Sequence, residues 1–267
     1  MGPHLLLFNA TESGDIAVFK RVLEENPGLD INWKNPARYD WTFLHIATSR
    51  GHTEVAEILL TQPLIEVNAM GLSGLTALCL ACQRGSSDIV RLLCEDPRVD
   101  VNLTANKAKY FPLFKAASWN QPQAVKWLIA LRGEDLDLEK KASYDGTNWT
   151  TPLEIARARG LPQMISLLEK FTVNPALTQC ELRVELGLHG SLASQIFALV
   201  VFLCDDLLKI KQGEAHTAAG GFFAIATTLP MELQMLLCHR VMRSTKQNII
   251  SKDSEYSFKQ LAKALGS

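Results

Sequence analysis

Side chains able to do acid–base chemistry crowd the stretch TFLHIATSRGHTEVAEILL, residues 42–60. His45, His52 and Glu54 could supply a base, an acid and an orienting carboxylate, with Arg50 to stabilise an anion. A second candidate is CLAC, residues 79–82, since a Cys-x-x-Cys pair serves redox or zinc chemistry. A third lies near the C-terminus. There Cys204 stands beside Asp205 and Asp206, with His189, His216, Cys238 and His239 in the same third of the chain. These are the ingredients of a thiol hydrolase.

Each set weakens when the neighbouring residues are read. The Leu-x-x-Ala core around His45 recurs as Leu7…Ala10, Leu44…Ala47, Leu78…Ala81, Leu113…Ala116 and Leu153…Ala156. In the equivalent copies His45 is replaced by Cys79, Phe114 and Glu154, and His52 by Ser86, Gln121 and Leu161. A catalytic group acts once per site, so a slot that accepts Cys, Phe or Glu is a scaffold slot. The cysteines of CLAC have no second pair or histidines at ligand spacing, and they fall within a helical pattern. Cys238 and His239 are adjacent, so a helix would point them about 100° apart. The sequence contains no Gly-rich phosphate loop and no HExxH. Non-catalytic function, with no metal and no cofactor, is therefore expected.

The repeat predicts the elements that position these residues. Four residues after each anchor alanine stand Gly14, Gly51, Gly85, Asn120 and Gly160, types that tolerate the left-handed conformation at a helix end. Apolar pairs follow, from Val22-Leu23 to Leu167-Leu168. Then comes a triplet: DIN at 30–32, EVN at 66–68, DVN at 100–102 and a decayed DLD at 135–137. Each unit reads as helix, tight turn, helix and extended link. One unit cannot bury its apolar face alone, whereas stacked units can. Thr151, Pro152 and Glu154 form a capping-box start, and Thr42 with His45 fills the same slots.

Period, turn and triplet resemble the ankyrin repeat, in five copies over residues 1–171. The expected fold is all-α with short hairpin loops: an ankyrin solenoid followed by an all-helical module, residues 172–267, that caps the stack. The resemblance implies a protein-interaction scaffold whose binding face comprises the hairpin tips and the exposed side of each first helix. Carried over by position, that face holds Tyr39, Trp41, Arg50, Leu72, Arg84, Lys107, Tyr110, Trp119, Trp149 and Arg159. Trp, Tyr and Arg are the types enriched at interface hot spots, and the set implies an acidic, partly apolar segment of another protein as ligand. The longer spacing before the fifth copy marks an insertion, residues 132–149.

The tail carries a second resemblance. LPMELQMLL, residues 229–237, is similar to the opening of an F-box. That implies recruitment of a ubiquitin-ligase adaptor through Leu229, Pro230, Leu233 and Leu237. The same chain writes GLPQMISLL at 160–168, inside a repeat, which favours reading Leu-Pro as an ordinary helix start.

Composition bounds the rest. The chain has 267 residues, is 47% hydrophobic and 21% charged, and carries a net charge of −1. It lacks the basic excess of a nucleic-acid binder. Its longest strongly apolar run, residues 196–204, is far below the ~20 residues that span a bilayer. The six cysteines lie mostly in apolar runs, as small hydrophobes. A cytoplasmic protein with reduced thiols is expected.

Overall fold

The computed structural model describes residues 2–104, 109–143 and 147–188. The chain divides into two compact units, Met1–Leu182 and Arg183–Ser267. The repeat pattern ends by residue 171, while the first unit runs on to Leu182. Of the all-helical module expected over residues 172–267, residues 189–267, with the F-box-like residues and the Cys, Asp and His set, lie outside the described residues.

Five helix pairs build the first unit: α1 (Pro3–Ser13) with α2 (Ile16–Glu25), α3 (Phe43–Arg50) with α4 (Thr53–Leu60), α5 (Ala77–Arg84) with α6 (Ser87–Glu95), α7 (Pro112–Ser118) with α8 (Pro122–Arg132), and α9 (Pro152–Ala158) with α10 (Pro162–Val173). The first members pack in succession as an inner layer and the second members as an outer layer. Most of these helices are too short to persist alone in water, so packing between repeats holds them.

The anchor alanines explain the period. All five are buried, and each carbonyl accepts the backbone N–H five residues later, from Asp15, His52, Ser86, Gln121 and Leu161. That bond requires a left-handed residue between, and Gly14, Gly51, Gly85, Asn120 and Gly160 all have φ between 53° and 78°. A larger side chain at the alanine would push the inner helices apart.

The triplets act between repeats. Asn32 Nδ2 donates to the Leu64 carbonyl at 2.8 Å, and its Oδ1 accepts from Glu66 N at 2.9 Å. Asn68 does the same with Arg98 O and Asp100 N at 2.8 and 2.9 Å. Asn102 reaches Asp135 O and Asp137 N at 2.5 and 3.1 Å. The equivalent of Glu66 and Asp100 is therefore Asp137. This corrects the fourth triplet from 135–137 to 137–139. The reason is a 3₁₀ turn, Gly133–Asp135, that lengthens the end of α8. Glu139 stands where the other triplets have Asn and carries no amide to donate, so the ladder ends there.

A further helix, α11 (Pro175–Glu185), follows α10 directly. Leu182 is buried, Thr178 Oγ1 donates to Lys170 O at 3.0 Å, and Gln179 Nε2 reaches Ala130 O at 3.5 Å. The helix thus closes over the last two repeats of the unit.

Candidate functional site

Between an outer helix and the next inner helix the chain makes a finger. The first finger is pinned by an antiparallel bridge between Asn35 and Trp41 and carries a 3₁₀ turn, Pro36–Arg38. Tyr39 and Asp40 reverse it, both with left-handed φ. The finger before α9 is closed by a bridge between Ala142 and Thr150. Fingers and inner helices together form one surface.

His45 belongs to the scaffold beneath that surface. Its Nδ1 lies 2.8 Å from Thr42 Oγ1 and accepts from Thr42 N at 3.3 Å, closing the capping box of α3. Its Nε2 lies 3.0 Å from Leu75 O, in the next repeat. This pairing fixes the tautomer with the proton on Nε2. Desolvation by burial holds the imidazole down to about 4, so it is neutral at physiological pH. His52 is another inter-repeat contact. Its Nε2 lies 3.1 Å from Glu12 O, and its ring covers Gly14 so closely that a Cβ there would lie 2.6 Å from the ring. Cys79, Cys82 and Cys94 are buried thiols whose pKa values burial raises, Cys94 to about 12. Such thiols are poor nucleophiles.

The ten residues expected at the binding face separate by environment. Tyr39 and Leu72 are 67% and 70% exposed at neighbouring fingertips, where Leu72 N donates to Tyr39 O at 2.8 Å. Trp119 is half exposed, at the C-terminal end of α7. Arg84 and Arg159 are exposed in the corresponding slots of α5 and α9. Arg159 Nη1 donates to Ser118 O, which fixes the guanidinium beside Trp119 and caps α7. Trp149 is partly exposed, with Lys109 Nζ 5.5 Å from its ring centroid. Arg50 is exposed and paired with Glu12. Trp41 and Tyr110 are half-buried and pack on Leu75, Cys79 and Leu80, so much of each ring serves the stack. Lys107 lies outside the described residues.

Two cations at this surface escaped the sequence reading. Lys115 is buried in the inner layer, with Nζ 3.7 Å from the centroid of Tyr110, and burial lowers its pKa. A lysine inside an apolar helical stripe was the available signal. Arg38, in the first finger, reaches Glu12 at 3.1 Å.

Stacked helix pairs, left-handed turns and finger ladder together define a solenoid of the ankyrin class. The family model for ankyrin repeats (3 copies) matches residues 7–105 and 65–140, half of the chain. The chain belongs to the ankyrin-repeat family and carries a protein-interaction domain. No curated protein matches it. Among the described residues, no helix is long and apolar enough to cross a membrane.

Proposed function

We propose that the chain acts by binding rather than catalysis, holding an acidic, partly apolar segment of another protein along the inner helices and fingers. The observation that carries this reading is Trp119, a half-exposed indole flanked in register by Arg84 and Arg159. The fold does not require it there, since the equivalent slots hold Ser13, Arg50, Arg84 and Arg159. An exposed indole between two guanidiniums suits an apolar anchor flanked by carboxylates. The stack is ordered before encounter, so binding spends little on conformational entropy. The buried thiols support a reducing compartment, and we place the protein in the cytoplasm.

Photo-crosslinking tests this reading. A benzophenone amino acid at position 119 should capture a partner from the native cell, and one at Arg21 on α2, in the outer layer, should not. Equal capture at both positions would sink the proposal. A probe at Leu233 addresses the F-box-like reading, since capture of ubiquitin-ligase subunits there would make the protein a substrate adaptor.

A further inference from the structure

The inner surface is charged unevenly along the stack. Glu12, in the last turn of α1, accepts from two guanidiniums on separate elements, Arg38 Nη2 at 3.1 Å and Arg50 Nη2 at 2.5 Å. The arginine side chains are half exposed, while that of Glu12 is only 21% exposed, so the acid lies under its two cations. A carboxylate between two forked guanidiniums is the arrangement by which a protein grips an acidic side chain. Here the grip is already filled from within the chain. Farther along, Arg84 makes no ion pair among the described residues, and Lys109 lies against the neutral ring of Trp149. Among the exposed apolar side chains at the fingertips, the two most exposed, Tyr39 and Leu72, stand in neighbouring fingers toward the Glu12 end, joined by their backbone bond, while Trp149 at the other end is less exposed and covered by Lys109.

We infer that Glu12 is an internal ligand that withholds Arg38 and Arg50, so that a bound segment lies in one direction, its apolar end on Tyr39 and Leu72 and its carboxylates over Arg84 and Trp119. The inference rests on the inner face being the binding surface and adds a polarity to it. Complementarity of charge sets direction because a reversed segment would bring its carboxylates against Glu12 and leave Arg84 unpaired.

The test uses the full chain and a synthetic peptide with a leucine block followed by a glutamate block, spin-labelled at either end. The indole N–H signals of Trp41 and Trp119 report proximity by NMR. A label on the glutamate end should broaden Trp119 and spare Trp41, and a label on the leucine end should do the reverse. Opposite or unpolarised broadening would overturn the inference while leaving the inner face as the binding surface. Failure of the peptide to bind would remove both. Glu12→Gln supplies a second arm. Releasing the clamp should raise affinity for an all-glutamate peptide about threefold, the scale of one exposed ion pair, and should let the glutamate-end label reach Trp41. That gain should shrink in the double variant Glu12→Gln, Arg50→Ala, because the released guanidinium is then missing. No effect of Glu12→Gln, or a gain that survives in full in the double variant, would show that Glu12 withholds nothing.

Discussion

His45 Nε2 lies 3.0 Å from the carbonyl oxygen of Leu75, thirty residues away, while its Nδ1 closes the cap of its own helix through Thr42. One imidazole thus joins the start of α3 to the finger of the following repeat. The cap needs the neutral ring, since a protonated Nδ1 cannot accept from Thr42 N, whereas Nε2–H can donate to Leu75 O in either state.

That requirement has a pH signature. Between about pH 6.5 and about 4 the unfolded chain binds a proton at His45 that the folded chain refuses. The contribution is complete above pH 6.5 and declines as the pH falls toward 4, by about 3 kcal/mol at most. Urea unfolding at pH 7 and pH 5 measures it. His45→Gln keeps an N–H donor for Leu75 but cannot titrate, so its stability should be lower at pH 7 and flatter with pH. An equally steep decline in that variant would place the effect elsewhere.

The asparagine ladder makes a separable contribution. Asn68→Ala removes one donor and one acceptor between adjacent fingers and should cost about 1 kcal/mol, because the groups it leaves are exposed to water. Asn32→Ala acts at a different interface, so the double variant should show the sum of the two losses. A midpoint unmoved by either change would mean that the ladder follows the stack and does not hold it.

Turn glycines should differ by what covers them. Gly51 has φ 78° with nothing within 4 Å of a built Cβ, so Gly51→Ala should cost only left-handed strain, about 1 kcal/mol. Gly14 has φ 73° and lies under His52, so Gly14→Ala should cost more, and His52→Ala in the same chain should recover the difference. Equal losses at the two glycines would deny the ring its place.

The role of α11 is tested by truncation. A chain ending at 188 retains the buried Leu182 and the Thr178 bond to Lys170, whereas one ending at 173 loses both. The shorter chain should be less stable by about 2–4 kcal/mol, the scale of one large buried side chain. Equal stability would show that α10 needs no cover.

The stack was legible in the sequence because its constraints are local and repeat. An alanine too buried to enlarge, a residue that tolerates positive φ and an amide side chain at a fixed offset recur together. Asp137 was misplaced by two residues because the 3₁₀ turn after α8 changes the count without changing the composition. The inner face was legible in register but not in depth. Trp119 and Trp41 are both aromatic at expected positions, yet packing on Leu75 and Leu80 half-buries one, while the end of α7 presents the other. Lys115 on Tyr110 and Glu12 between two arginines depend on contacts across repeats, which spacing along one chain does not encode.

The most direct measurement compares Trp119→Ala with the unmodified chain, by calorimetric titration of the partner segment captured at position 119 and by thermal unfolding of the two proteins. Binding at the inner face predicts that affinity falls by at least about 2 kcal/mol, the scale of an interface hot spot. The unfolding midpoint should move little, because half of the indole is already in solvent. Undiminished affinity would contradict the central claim, as would a fall in affinity fully accounted for by unfolding.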